Sequence, residues 1–330
     1  MIRSARRRLM VRSQAKADGE RAGQYRIQGA ARGAPTFDGS AAAPGTDGRE
    51  AFGRPGLEPR WTTGAKTGVG TAIGARSRVW FTLARGIVTE VYYPRVDVAN
   101  LRDLQLLISD GRTFCHEEQR DLRHTVSYLD EWSLAYRIVN EDPGGRYRID
   151  KRIFTDPEEN ALVQRITVEP LLPEASADQV YILVAPHVGN RGADNVACCT
   201  SYEGRQLLLA SRGDISLALG ASVPFLKSSC GFVGFSDGWT DLNDNLAMDW
   251  TFPQASGGNV ALTAALDLAA GREFALALAF GQGEAEAAAV ADRVLAKDPD
   301  DLERRYIAGW RAYCAGLEDL SGQAEDDGRL

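Results

Sequence analysis

The sequence predicts an all-β protein, a large antiparallel sandwich followed by C-terminal helices. Three observations lead there. Between Val79 and Phe280 one short apolar run follows another, each cut by Gly, Pro, Asp or Asn. No helical pattern separates these runs, which argues against a βαβ architecture. After Gly283 the composition turns to EAEAAAVADRVLAK, a strong helix former.

Taken in order, residues 1–50 are rich in Arg, Gly and Ala, hold few large apolar side chains and show no period. Such a segment cannot bury enough surface to offset the entropy of ordering, so a disordered basic tail is expected. The glycine-rich GAKTGVGTAIG (Gly64 to Gly74) suggests a phosphate cradle, but GxxxxGK[ST] is absent and the glycines lead into a strand. A loop wrapping the sandwich is expected instead.

The sandwich itself is placed at 51–283. Its clearest strands are VWFTL (Val79 to Leu83), IVTEVYY (Ile87 to Tyr93), LQLLIS (Leu104 to Ser109) and HTVSYL (His124 to Leu129). YRIDKRIF (Tyr147 to Phe154), LVQRITV (Leu162 to Val168), VYILVA (Val180 to Ala185) and QLLLAS (Gln206 to Ser211) follow. ISLALG (Ile215 to Gly220), NVALTAALDL (Asn259 to Leu268) and FALALAF (Phe274 to Phe280) complete the series. Alternation through Tyr147, Ile149, Lys151 and Ile153 fits a sheet with one buried and one wetter face. DPGG (Asp142 to Gly145) reads as a hairpin turn, with proline presetting the first turn angle and glycine accepting positive φ.

Linker helices and a polar tail are placed at 284–330. Asp298 before Pro299 reads as an N-cap with proline at the first helical position. The helix that follows carries Leu302, Tyr306, Trp310, Tyr313 and Leu317 on one face. That aromatic stripe must be covered, either by the sandwich or by a domain that these residues do not supply.

Composition narrows the function. The chain has 330 residues, a net charge of −7 and 25% charged residues, so it lacks the basic field that nucleic acid or an anionic membrane attracts. Arginines in the first segment carry no interleaved aromatics, which weighs against a nucleic-acid arm. No run reaches the roughly 20 apolar residues of a spanning helix. MIRSARRRLMVRSQ has the charge of a signal peptide without its apolar region, favouring the cytoplasm over secretion. Five cysteines without CxxC spacing suggest reduced thiols, and three scattered histidines suggest no metal site; no cofactor is implied.

Paired carboxylates are the remaining route to chemistry, because glycoside hydrolysis needs a proton donor and a base or nucleophile across a sugar ring. Asp97 with Asp103, Glu117 with Glu118, and Asp237, Asp241 and Asp244 qualify by type. Each has a structural reading: Glu117 and Glu118 as solvated groups or partners of Arg120 and Arg123, and Asp103 as the ion-pair partner of Arg102. VYYPRVD and SDGWTD stand apart. Aromatic faces stack on pyranose CH surfaces while Arg and Asp fix hydroxyls, so Tyr92, Tyr93, Arg95, Asp97, Trp239 and Asp241 form a candidate rim for carbohydrate or for a neighbouring domain.

Four stretches in order carry a resemblance: WTTGAKTGVGTAIGARSRVWFTLARGIVTEVYYPRVDVANLRDLQLLISDG, LVAPHVGNRGADNVA, GFVGFSDGWTDL and RRYIAGWRAYCAGL. They resemble the N-terminal domain of bacterial glucoamylases and glucodextranases, glycoside hydrolase family fifteen, from about Ala51 to Leu317. The resemblance implies a supersandwich of the galactose-mutarotase-like type, joined through helices to an (α/α)6 barrel. It also implies that the catalytic glutamates belong to the barrel, so no residue here inherits a catalytic role.

The expected function is a noncatalytic N domain of an inverting α-glucan hydrolase, bracing a barrel that is missing or on a separate chain and touching α-glucan oligosaccharides. Tyr306, Trp310 and Tyr313 are the expected interdomain helix, and the chain is expected to be a fragment or half of a split enzyme. The alternatives are a freestanding carbohydrate-binding module, or a mutarotase-like enzyme using His187 and a carboxylate as acid and base.

Overall fold

Residues 49–318 are described by the computed structural model of the chain. From the N-terminal side come β1 (Gly68–Thr71), β2 (Trp80–Ala84), β3 (Ile87–Tyr92), β4 (Leu101–Ser109) and β5 (Cys115–Glu117), then the single turn α1 (Glu118–Asp121). A meander follows in β6 (Arg123–Tyr128), β7 (Tyr136–Glu141), β8 (Tyr147–Thr155) and β9 (Ala161–Pro170). Next are β10 (Gln179–Pro186), β11 (Asn195–Tyr202), β12 (Arg205–Arg212), β13 (Ile215–Ala221) and β14 (Phe225–Phe232), then α2 (Gly238–Asn245). The strands end with β15 (Gln254–Gly258), β16 (Val260–Leu266) and β17 (Glu273–Gln282), before α3 (Glu284–Leu295) and α4 (Pro299–Ala315). This body closes at Ala315; of a second unit only residues 316–318 are described. The expected tail over 1–50 lies, apart from Arg49 and Glu50, outside the described residues.

Two antiparallel sheets face each other. One has eight strands in the order β1-β2-β3-β4-β10-β16-β14, with β5 added beside β4; the other has nine, in the order β15-β11-β12-β13-β17-β9-β8-β7-β6. Leu104, Leu106 and Ile108 of β4 and Val180, Ile182 and Val184 of β10 meet Ile149, Ile153, Leu276, Leu278 and Phe280 of the opposite sheet in one core. Alternate residues face outward, as the pleat requires. Every strand expected from the sequence is present. The DPGG turn joins β7 to β8, with Gly145 N donating to Asp142 O at 2.9 Å and Gly145 at φ +72°.

Central strands are apolar on both faces because helices cover their backs. On the nine-stranded sheet, Ala277, Ala279 and Ala218 seat α3 through Ala287, Ala288 and Ala291. The approach is close enough that a Cβ on Gly281 would lie 2.5 Å from Ala287 N. On the eight-stranded sheet, Leu107, Tyr181 and Ala265 pack under Leu242 and Met248, from α2 and the segment after it.

Three sequence expectations change here. GVGT, within the expected loop, is strand β1, pairing with β2 from Gly68↔Leu83 to Thr71↔Trp80. Helical segments do interrupt the strand series: α2 forms because Asp237 Oδ1 accepts from Trp239 N at 3.0 Å and Thr240 N at 3.1 Å, closing the first turn.

The third concerns α4. Asp298 caps it as expected, accepting from Asp300 N at 2.8 Å, but the aromatic stripe is covered by the chain's own sandwich. Leu302, Tyr306 and Trp310 are buried, and Tyr306 Oη and Trp310 Nε1 both donate to Thr71 O, at 2.7 and 3.2 Å. Glu303 reinforces the seat by accepting from Arg165 Nη1 at 3.1 Å. Of the stripe, Tyr313 and Leu317, 50% and 52% exposed, remain open. Tyr306 and Trp310 are therefore intradomain anchors.

Candidate functional site

Strand β4 runs with Leu104, Leu106 and Ile108 inward, so Asp103 and Gln105 stand on the outer face of the eight-stranded sheet. Their neighbours in register on β10 are Ala185 and Leu183. Strand β5 pairs Glu117 with Leu107, and the turn of α1 then brings Gln119 and Arg120 over the same face. From the opposite side, the capped start of α2 delivers Trp239. These pieces enclose a cleft of about 300 Å³ lined by Leu57, Arg102, Gln105, Glu117, Gln119, Arg120, Leu183, Ala185, Val233, Gly234, Asp237, Trp239 and Ala261.

Glu117 is the hub of this cleft. Its Oε1 accepts from Gln105 Nε2 at 2.9 Å and Gln119 Nε2 at 2.6 Å, and its Oε2 accepts from Trp239 Nε1 at 3.1 Å. Arg120 Nε lies 2.8 Å from the same Oε2, and its guanidinium sits 5.3 Å from the centre of the Trp239 ring. The pairing of Glu117 with Arg120 is the one the sequence suggested. Arg102 Nε donates to Asp103 Oδ2 at 2.7 Å. Burial pushes the Asp103 carboxyl up, and Arg102 offsets part of that shift. Asp103 Oδ1 has no hydrogen-bond partner among the described residues.

The rim expected from the sequence is divided. Of its residues Trp239 lines the cleft, whereas Tyr92, Tyr93, Arg95, Asp97 and Asp241 do not. Tyr93 is no surface platform: it is wholly buried, stacked on Phe280 at 5.5 Å between ring centres. Tyr92 is half-buried, its phenol raised first by burial and then by Glu90. Arg95 and Asp97 pair with each other at 2.8 and 2.9 Å in the exposed turn between β3 and β4, and that hydrogen bonding lowers the Asp97 carboxyl. Asp241 is a buried structural acceptor, taking Asn245 Nδ2 on one oxygen and the Asp249 and Trp250 N–H groups on the other, all at 2.8 Å. Glu118, paired on paper with Glu117, is buried against Lys151.

Sequence reading missed Arg102, Gln105, Gln119 and Arg120 as cleft residues. EEQR carried polar planar groups in a row, yet Trp239, which completes them, lies 122 positions from Glu117.

His187 sits beyond the end of β10, buried against Trp61 at 4.6 Å between ring centres, with no hydrogen-bond partner for Nδ1 among the described residues. Burial, helped by Arg102, lowers it from 6.5 to about 4. The folded state then binds this proton less well than the unfolded chain. Its contribution to stability is complete above about pH 6.5 and is lost as the pH falls towards 4. Urea unfolding at pH 7.5 and 4.5 should show wild type losing on the order of 2–3 kcal/mol relative to His187→Gln; parallel losses would show that the imidazole is hydrated.

Comparisons with known proteins place these residues in context. Residues 51–315 match the family described as glucodextranase, domain N. A glucoamylase of Clostridium sp. (strain G0005) is 35% identical over 270 residues, which are 82% of this chain and 38% of that protein. The crystal structure of a bacterial glucoamylase complexed with acarbose superimposes with a TM-score of 0.80 at 36% identity, covering 84% of this chain and 41% of that one. This chain thus spans about two fifths of the length of the relatives it matches.

Proposed function

Because this chain belongs to the glucodextranase domain N family, we propose that it is the noncatalytic N-terminal domain of a glucoamylase- or glucodextranase-type glycoside hydrolase acting on α-glucans. In this role it braces an (α/α)6 catalytic barrel, on the same polypeptide or a separate one. The observation that carries the proposal is 35% identity to a glucoamylase across 82% of this chain but only 38% of that enzyme. Cleft chemistry supports the noncatalytic part. An inverting hydrolase needs two carboxylates roughly 6.5–9.5 Å apart around a water, whereas both oxygens of Glu117 are taken by protein donors and Asp103 is sealed.

A surface suited to such bracing lies at the end of α4. Trp132, 45% exposed, lines a groove of about 440 Å³ with Glu131, Arg311, Cys314 and Ala315, and Tyr313, 50% exposed, stands on the same last turns of α4. Aromatic and arginine side chains in that arrangement suit a protein interface.

The test adds the purified chain to a separately produced glucoamylase-type helical barrel. The chain alone should release no glucose from maltotriose, and adding it should raise both the melting temperature and the turnover of the barrel. Trp132→Ser with Tyr313→Ser should weaken that effect roughly tenfold, about 1.4 kcal/mol. Glucose release by the chain alone, or a barrel indifferent to it, would sink the proposal.

A further inference from the structure

Resting on that reading of the chain, we infer that the Trp239 cleft is a binding subsite for a neutral pyranose unit of an α-glucan. Its volume of about 300 Å³ is at the low end for a small-molecule pocket. Its lining joins the small side chains Ala185 and Ala261 and the aliphatic Leu57, Leu183 and Val233 to planar polar groups and one indole. Bulkier residues at the two alanines would fill the space.

Charge balance selects the ligand class. Glu117 is paired with Arg120, and Asp103 with Arg102, so the cleft attracts neither sign strongly. An anion would meet Glu117 and Asp237, and a cation would meet Arg102 and Arg120. A purely apolar molecule would strip water from Arg102 and Gln119 without replacing its hydrogen bonds. A hydroxyl-rich neutral ring avoids all three penalties.

The donors and the platform are already in place. Arg102 bonds Asp103 only through Nε, so its two Nη groups hold no protein acceptor among the described residues. Trp239 spends its N–H on Glu117, and Arg120 lies over its ring at 5.3 Å, so a ligand meets that guanidinium together with the ring surface it leaves open. Because Gln105, Gln119 and Trp239 are each bonded to Glu117, binding a sugar costs little side-chain ordering.

Calorimetric titration of the 330-residue protein with maltotriose and isomaltotriose tests this directly. Saturable binding of at least one of them is expected, weakened at least tenfold by Trp239→Ala and by Arg120→Ala. Arg120 is more than half exposed, so its variant should keep the wild-type melting temperature and separates lost contact from lost fold. No saturable binding up to the solubility of either sugar, or wild-type affinity in both variants, would overturn the inference. The barrel assay is independent: an activated barrel without sugar binding removes the cleft alone, and sugar binding without activation removes the bracing role alone.

Discussion

Replacing Lys151 by methionine is expected to cost about 3–5 kcal/mol of unfolding free energy, because it strands a charge in the interior. Lys151 follows Tyr147 and Ile149 on the inner face of β8 and is 1% exposed, while its partner Glu118 is fully buried. Lys151 Nζ lies 2.7 Å from Glu118 Oε1 and donates to Gly86 O at 2.9 Å. Glu118 also accepts from Leu106 N at 2.7 Å and Asn140 Nδ2 at 2.6 Å. The network thus ties β4 of one sheet to β7 and β8 of the other. In the double variant Lys151→Met with Glu118→Gln, the amide oxygen can still accept from Leu106 N and no charge is left unpaired. That variant should recover part of the loss, and urea midpoints of the four proteins give the coupling directly. A single-variant loss below about 1 kcal/mol would mean that water reaches the pair.

Truncating Trp310 to alanine is the second large effect, about 3–5 kcal/mol for a buried aromatic. Tyr306→Phe, which removes only the bond to Thr71 O, should cost about 1 kcal/mol. Both changes act on the contact between α4 and β1, so they should also speed proteolysis in the turn between α3 and α4. Unchanged stability in Trp310→Ala would show that the helix is loosely held and that its stripe is free for another domain. The buried positions of Leu302, Tyr306 and Trp310 argue for the opposite.

Much of the fold was legible along the chain. Continuous apolar runs such as FALALAF read as strands, and their two buried faces follow from α3 on one side and the core on the other. Strands with mixed composition were silent. FLKSSCGF becomes β14 because β16 pairs with it and places Cys230 and Phe232 in the core. YRIVNE alternates well enough to be β7, but its third inward residue is Asn140, whose amide serves Glu118 and Gly86 O. Composition misled most where an aromatic or charged residue looked exposed. Tyr93 stands beside a surface turn and yet stacks in the core, and Asp241 resembles a sugar ligand while it ties α2 to the segment after it.

By itself the sequence determined the all-β class, the placing of most strands, the capped helix after Asp298, and membership of the domain N family. All of these depend on local periodicity, local capping, or long motifs in order. Tertiary structure alone decided what covers each face: Lys151 meets Glu118 inside the sandwich, Tyr306 and Trp310 close on β1, and Trp239 joins Glu117 across 122 residues to form the cleft. Periodicity reports that a face is buried, while the partner that buries it is chosen by long-range register and by the few donors and acceptors able to satisfy each other there.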